Sequence, residues 1–385
     1  MSDQRWRRTL WGVVGLGVCN HVVLSGARVA VSLDALRLGA SPAIVGLLMA
    51  LFALLPMLLA VHAGRYADRV GARTPMRIGS LGAATGVALP ALLPGLASLF
   101  AAAALIGAAF MLFQVAAQRL TGELGGPADR AGNYGTLALG YSISGFAGPL
   151  ASGIAIDRLG FASTFALLAL APLVPLTVLG WSRFALPRHV PTRATATRQA
   201  LLALLAVPPL RRLLAINALF ALGWDLHTIF VPIYGARIGL SAAQIGLILS
   251  AFAAATFVVR FSIRTLSHHT SERSVLTVAL LVASIVYLVF PFSRSATMLM
   301  ILAFVLGLGL GAGQPVVMAL LHAHAPDGRM GEAAGLRMAL IQAMSVTVPL
   351  VFGALGSSLG LLPVFWTVGF CLAGGSIYAR RFRTG

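Results

Sequence analysis

Ionisable side chains lie inside several long apolar runs of this chain, where a charge is costly. The candidates for chemistry among them are His21, Arg28 and Asp225. A charge at the centre of a bilayer helix costs about 2.5 to 3.5 kcal/mol on insertion scales, so each such residue is a candidate for binding or for moving an ion. Histidine can also exchange protons near neutral pH, since its reference pKa is about 6.5. These residue types suit solute binding and proton transfer. The alternative for His21 is a structural role, in which its ring forms a hydrogen bond between packed helices.

The composition indicates a membrane protein. Hydrophobic residues make up 58% of the 385 and charged residues 10%, whereas soluble domains carry roughly 25% charged residues. The net charge of +18 comes from 28 arginines without a single lysine. A basic stripe would indicate nucleic acid, but these arginines are spread over short connections and the termini. We therefore expect an all-α integral membrane protein that contacts the lipid bilayer and binds no nucleic acid.

Apolar runs long enough to cross a bilayer recur along the chain. A membrane helix needs about 20 mostly apolar residues. We predict twelve spans: 10–33, 43–63, 76–95, 97–118, 132–155, 161–181, 212–234, 242–263, 275–292, 297–320, 333–356 and 362–379. The corresponding domains are a six-helix bundle at 1–181, a linker at 182–211 and a second six-helix bundle at 212–385.

The arginines also predict the orientation. With the N-terminus inside, 22 arginines lie inside, two lie within spans at Arg28 and Arg260, and four lie outside, at Arg37, Arg158, Arg237 and Arg294. Cytoplasmic loops carry the excess of basic residues, so both termini are expected in the cytoplasm. The expected location is a bacterial-type inner (plasma) membrane.

The two halves resemble each other at an ungapped shift of 200 residues. Matched pairs continue over about 130 residues in this one register: Arg37 with Arg237, Gly39 with Gly239, Gly46 with Gly246, Gln114 with Gln314, Pro149 with Pro349, and Gly160 with Gly360. A repeated six-span unit is typical of carriers that alternate access to a site near the bilayer midplane.

The repeat relates the charged positions of spans one and seven. His21, Ser25 and Arg28 share one helical face, and the shift places Ala221, Asp225 and Thr228 on them. We predict that Arg28 and Asp225 both face a central cavity. The alternative is that Arg28 extends outward and Asp225 pairs within its own half.

Other polar residues of the spans have more ordinary expectations. Gln114 and Gln314 repeat between spans four and ten and are candidates for hydrogen bonds to a solute, with bonds between helices as the alternative. His227 lies two residues from Asp225 and so should face the core. Arg260 and Arg337 lie near span ends, where their side chains should reach the interface.

Cofactors are not expected. The cysteines, Cys19 and Cys371, lie singly in apolar runs. Two pairs of histidines, His268 with His269 and His322 with His324, have no set of acidic or cysteine ligands beside them. Zinc usually takes three or four protein ligands. We therefore expect neither a metal nor a cofactor.

The connection after span two carries a recognisable motif, Gly-Arg-Tyr-Ala-Asp-Arg-Val-Gly-Ala-Arg. It resembles the cytoplasmic signature of the major facilitator superfamily, carried here by Gly64, Asp68, Arg69, Gly71 and Arg73. The resemblance implies two pseudo-symmetric six-helix bundles and a conformational latch in which Asp68 meets the cytoplasmic end of helix eleven, around 332–337.

Span five resembles the Gly-Pro pattern of the exporters in that superfamily. Its residues are Gly145, Gly148, Pro149 and Gly153. The resemblance implies export, while span four lacks the arginine that proton-driven drug exporters usually carry there.

The expected function is secondary transport of a small solute by alternating access, with protons as a candidate coupling ion. Export is the preferred direction. The alternatives are a solute:proton symporter, a lipid-handling carrier and a receptor or scaffold that does not transport. Catalysis is not expected, since no two acids pair inside the bilayer, and the protein is expected to be a monomer.

Overall fold

The structure is a computed structural model, and it describes residues 3–126, 129–181, 204, 206–266, 271–324 and 329–381. Most of the predicted linker at 182–211 lies outside these residues. Its last part is helical, because α7 begins at Pro208.

The described part of the chain consists of helices and short connections, with no strand. The first half contains α1 (Asp3–Arg37), α2 (Pro42–Val70), α3 (Arg73–Leu92), α4 (Leu96–Glu123), α5 (Arg130–Leu170) and α6 (Leu173–Gly180). The second half contains α7 (Pro208–Arg237), α8 (Ala242–Leu266), α9 (Glu272–Val289), a 3-10 turn (Phe290–Phe292), α10 (Ala296–His324), α11 (Met330–Leu359) and α12 (Leu361–Arg380).

The helices account for the twelve predicted crossings. By length and composition, ten helices in the described part could span a membrane, and one of them, Gly132–Gly180, is long enough for two crossings. Predicted span three falls on α3, whose first turns carry Arg73 and Arg77. The all-α, twelve-helix class predicted from the sequence is therefore confirmed.

Glycines with positive φ separate consecutive helices at matching places in the two halves. Gly39 and Gly239 have φ of 83° and 80°, and Gly160 and Gly360 have φ of 79° and 85°. Side chains with a Cβ rarely adopt this region, so glycine is the residue that such a break requires. The break at Gly160 separates the part of α5 that contains predicted span five from the part that begins predicted span six.

The chain forms two compact units. The first comprises residues 1–40, 51–193 and 240–250, and the second comprises 41–50, 194–239 and 251–385. The first unit thus includes the first turns of α8, and the second unit includes the first turns of α2.

The same helix pairs pack together in each unit. In the first unit α1 packs on α5, α3 on α4, and α3 on α6. In the second unit α7 packs on α11, α9 on α10, and α9 on α12. The 200-residue repeat read from the sequence is therefore a repeat of packing, and it places the polar residues of α1 and α7 in comparable surroundings.

Candidate functional site

In the first unit, the polar face of α1 packs against α5. His21 Nδ1 is hydrogen-bonded to Ser144 Oγ at 2.6 Å, and its ring stacks on Tyr141 with centroids 4.9 Å apart. One turn further, Ser25 Oγ donates to the Ser144 carbonyl oxygen at 3.0 Å. His21 therefore makes a contact between helices, and its role in coupling stays a prediction.

Arg28 lies beyond this contact and turns toward α2. Its guanidinium carbon is 5.6 Å from the centroid of the Phe52 ring, a distance at which a cation is attracted to an aromatic face. Gln114 is half-buried on α4, one turn after Phe110, whose ring is 5.4 Å from that of His21. Arg28 and Gln114 remain candidates for binding a solute.

In the second unit, Asp225 is a buried carboxylate near the middle of α7. Asp225 is only 7% exposed, and its Oδ2 accepts a hydrogen bond from Ser345 Oγ of α11 at 2.9 Å. Sequence reasoning missed Ser345, because the repeat pairs it with Gly145 and no matching polar residue marks it. The α7–α11 contact thus holds the one acid that lies at the middle of a described span.

The residues next to Asp225 have aromatic neighbours. His227 is 1% exposed and stacks on Phe252 with ring centroids 4.3 Å apart, as its two-residue offset from Asp225 predicts. Arg260 places its guanidinium carbon 5.8 Å from the Trp224 ring centroid. Arg260 therefore lies against α7, whereas the sequence predicted that it would reach the interface.

Arg337 corrects the sequence analysis more clearly. It is 7% exposed, so the prediction that it reaches the interface was wrong. Its Nε donates to Asn217 Oδ1 at 2.9 Å, and its Nη2 donates to Gln314 Oε1 at 2.7 Å. Burial follows from three helices, α7, α10 and α11, that meet around the side chain and supply polar atoms. Gln314, predicted to bind a solute, is therefore held by an arginine that sequence reasoning had set aside.

The motif after span two has a partner in its own unit. Arg119 Nη1 of α4 donates to Asp68 Oδ1 at 2.7 Å and to the Ala67 carbonyl at 2.9 Å, and its Nε also bonds Glu123 at 2.7 Å. Gly71, with φ of 79°, ends the helix that carries the motif. The remaining motif residues differ in exposure, with Gly64 and Arg73 half-buried and Arg69 exposed. The predicted contact of Asp68 with 332–337 stays a prediction, and no motif in the sequence marks Arg119 as a partner of Asp68.

The Gly-Pro pattern of α5 serves close helix packing. A Cβ at Gly148 would collide with Ser25, and a Cβ at Gly153 would collide with the backbone of Ala242. Pro149 supplies the carbonyl oxygen that a Cβ at Gly246 would meet. Gly145 is half-buried nearby. The pattern is therefore explained by backbone contacts, whichever direction transport takes.

The second unit repeats these contacts with its own residues. A Cβ at Gly46 would meet the carbonyl oxygen of Pro349, and one at Gly353 would lie 3.0 Å from the carbonyl oxygen of Pro42. Pro349 and Gly353 correspond to Pro149 and Gly153 in the repeat. Pro149 and Gly153 of the pattern thus have counterparts in the second unit, whereas Gly145 and Gly148 correspond to Ser345 and Val348.

Side chains also cap the helices that begin at these contacts. The amides of Ala242 and Ala243 donate to the Asp157 carboxylate at 3.0 and 2.9 Å, which caps the start of α8 within the first unit. In the second unit the Ala43 amide donates to Ser357 Oγ at 2.8 Å, which caps the start of α2. Asp157 and Ser357 are 200 residues apart, so the repeat preserves the cap while its chemistry differs.

Among the described residues, no group of three or more His, Cys, Asp or Glu side chains could hold a metal ion. The chemistry that the described polar residues offer is hydrogen bonding, charge attraction and proton exchange.

In the described ranges, two matching sets of six helices hold polar side chains at mid-helix. This arrangement is that of a membrane transport protein. The chain belongs to the Major Facilitator Superfamily, whose family model matches residues 13–293 and, in a second match, residues 213–384. Proteins of this family are transporters and not enzymes, which confirms the expected class.

Solved transporter structures share the fold over nearly the whole chain. A POT family transporter in complex with a thioalcohol-conjugated peptide has a TM-score of 0.80 at 13% identity, covering 96% of this chain and 95% of its own. A peptide transporter POT in complex with sulfate has a TM-score of 0.81 at 16% identity, covering 97% and 93%. A POT family transporter in complex with 5-aminolevulinic acid has a TM-score of 0.79 at 14% identity, covering 96% and 95%. At these identities the likeness shows the fold.

Proposed function

We propose that the chain is a secondary transporter that moves a small solute by alternating access and couples this movement to protons through Asp225. The observation that carries the proposal is the burial of this carboxylate at mid-helix, beside the Ser345 hydroxyl. A buried carboxylate is costly when ionised and much less so when protonated. Binding or losing a proton therefore changes the relative free energy of conformers that bury or hydrate it, which is the requirement for coupling.

Asp225 is a better coupling group than His21. The His21 ring is committed to Ser144 and Tyr141 in the α1–α5 contact, so a change of its charge would disturb the packing of one unit. Asp225 accepts from a hydroxyl, which can donate to a carboxylate or accept from a carboxylic acid. This contact can persist in both protonation states.

Uptake is the direction we favour. The Gly-Pro pattern favoured export, but close packing accounts for its residues: Gly148 lies against Ser25 and the Val22 carbonyl, and Gly153 lies against the Ala242 backbone. The pattern therefore loses its weight as a marker of direction. One similar solved structure is a peptide transporter, and another is a POT family transporter in complex with a conjugated peptide. By fold analogy alone, we take proton-coupled uptake as the direction for this chain. Export remains the second candidate, on the resemblance of α5 to exporters.

The test uses proteoliposomes with an imposed proton gradient and two probes, dialanine and 5-aminolevulinic acid. We expect probe entry accompanied by proton entry, and loss of gradient-driven accumulation in Asp225→Asn. Exchange of probe across the membrane without a gradient should survive in this variant, because exchange needs no proton release.

Glu272→Gln is the matched control, since Glu272 is an exposed acid in the first turn of α9. Gradient-driven accumulation that persists in Asp225→Asn would refute the coupling role. Probe movement only when the proton gradient is reversed would establish export, and binding without flux would favour a receptor.

A further inference from the structure

Three polar side chains of the second unit form a buried group that the coupling role of Asp225 does not use. Asn217 of α7, Gln314 of α10 and Arg337 of α11 are joined by two hydrogen bonds from the guanidinium, and we name them the donor cluster. Asn217 is 2% exposed and Arg337 is 7% exposed. A cation is thus held away from solvent by neutral amides.

The described carboxylates of the second unit do not pair with Arg337. Among its described carboxylates, Asp225 accepts from Ser345, Glu332 pairs with Arg329 at 2.6 Å, and Glu272 is exposed in the first turn of α9. None of them is a partner of Arg337 in the described part of this unit. Burying a charge without an opposite charge is expensive, so this arrangement calls for a function.

The donor cluster has further N–H donors beyond those in its two internal hydrogen bonds. A guanidinium has five N–H groups and no acceptor, and two of its nitrogens are engaged here. The Asn217 and Gln314 side-chain oxygens both accept from Arg337, so each amide presents its NH₂ group. Asn217 Nδ2 is buried without a hydrogen-bond partner among the described residues. What remains is a set of donors around a positive charge, which is the complement of an anion.

The first unit shows that the fold does not require this charge. The repeat places Gly17, Gln114 and Leu137 on the three members of the donor cluster. A Cβ at Gly17 would lie 3.3 Å from Tyr141 Cε1, 3.6 Å from the Tyr141 hydroxyl oxygen and 3.7 Å from Leu137 Cδ1, so the nearest atoms at the equivalent contact belong to no charged group. The same helix pair therefore packs without a buried arginine, and Arg337 is present for another reason.

Helix geometry places a second guanidinium, that of Arg260 on α8, at about the same level along the helices as Gln314 of the donor cluster. Cβ atoms at Gly307 and Gly311 of α10 would meet Phe252 and Thr256 of α8 respectively. These contacts advance four residues at a time on both helices, so the next turn places Arg260 level with 314–315. Asp225, by contrast, lies eight residues along α7 from Asn217, or about 12 Å of helix rise.

We infer that the donor cluster binds an anionic group of the transported solute, a carboxylate or a phosphate, and so determines the class of substrate. The inference rests on the proposed transport function and names its substrate class. Arg337 supplies the charge, while Asn217 and Gln314 hold its planar guanidinium and add N–H donors. Asp225 then carries the proton at a separate place on α7.

The experiment measures binding, without transport, as the thermal stabilisation of the purified full chain by a probe. The probes are 5-aminolevulinic acid, its methyl ester, which lacks the carboxylate, and inorganic phosphate. A separate arm adds phosphatidylglycerol to the detergent. We expect stabilisation by at least one of the two soluble anions and none by the ester.

Four variants test the site. Arg337→Gln should raise the apparent Kd of the stabilising anion about 10-fold or more, since a charge-assisted hydrogen bond is lost, and Arg337→Lys should retain part of the affinity. Asn217→Asp puts a carboxylate 2.9 Å from Arg337 Nε, so it should raise the unfolding temperature without probe and abolish the response to anions. Arg380→Gln, which removes an exposed arginine of the same unit, should leave binding unchanged.

A double variant guards against misfolding of Arg337→Gln. Asn217→Gly with Arg337→Leu copies the pair of the first unit and should fold while losing the response to anions. No stabilisation of the natural chain by either soluble anion, or an anion response that survives in Arg337→Gln or Asn217→Asp, would overturn the inference. A response to phosphatidylglycerol alone would assign the site to a lipid headgroup and overturn the solute assignment. Gradient-driven transport that persists in Asp225→Asn would instead refute the coupling role and leave the anion site standing.

Discussion

Removing the carboxylate that caps α8 should destabilise the first unit measurably. In Asp157→Ala, the Ala242 and Ala243 amides lose acceptors at 3.0 and 2.9 Å. These amides belong to the first turn of α8, whose N–H groups have no partner within the helix. Water can replace part of the interaction, since Asp157 is exposed, but it does not replace the fixed negative charge.

The expected cost follows from the two parts of the interaction. Replacing an N-terminal capping side chain by alanine typically costs about 1 kcal/mol, and a carboxylate near a helix N-terminus adds about 0.3 to 1 kcal/mol at low ionic strength. Asp157→Ala should therefore lose about 1 to 2 kcal/mol. Asp157→Ser copies Ser357, which caps α2 at the matching position, and should lose less.

The assay is thermal unfolding of the purified full chain in detergent, at low salt and at about 1 M salt, where the screening length is about 3 Å. The difference between Asp157→Ala and the natural chain should shrink at high salt, because only the charge–dipole part is screened. An unchanged unfolding temperature of Asp157→Ala at low salt would refute the reasoning. So would an Asp157→Ser variant as unstable as Asp157→Ala.

The remaining predictions concern the first unit. The Asp68–Arg119 pair, 35% and 16% exposed, should show a coupling of about 0.2 to 1 kcal/mol in a double-mutant cycle of unfolding with Asp68→Asn and Arg119→Gln, and zero coupling would contradict the contact. Gly148→Ala should destabilise by about 1 to 3 kcal/mol through overpacking, whereas Gly15→Ala, where a Cβ meets nothing within 4 Å, should be neutral or stabilising. Gly160→Ala should cost about 1 to 3 kcal/mol, because φ of 79° with ψ of 174° is a region reserved for glycine, and an unfolding temperature equal to that of the natural chain would show that the break relaxes.

Much of the fold could be predicted from the sequence, because two signals are strong. The length of the apolar runs indicates the number of crossings. The 200-residue repeat supplies a second, aligned copy of each helix, so each predicted span is supported twice. The start of α7 at Pro208 was missed by a few residues, since proline and arginine at a helix start resemble a connection. Proline is in fact tolerated in the first turn, where its missing N–H is not needed.

The polar contacts could be predicted only in part. The positions of His21 and Asp225 inside spans follow from hydropathy, whereas Ser144 and Ser345 do not, because serine is common in membrane helices. Arg337 was misjudged because its distance from the span end suggested an exposed side chain. Its partners come from helices far apart in the sequence, and only packing shows that they surround it.

The close approaches at glycine have a consequence for genetic suppression. A side chain added at Gly46 or Gly246 would strike the carbonyl oxygen of Pro349 or Pro149, and no substitution removes a main-chain atom. A Cβ at Gly313, by contrast, would strike the ring of Phe220, which a smaller residue would clear. Selection for second-site revertants should therefore recover changes at Phe220 for Gly313, but none at the facing prolines for Gly46 or Gly246.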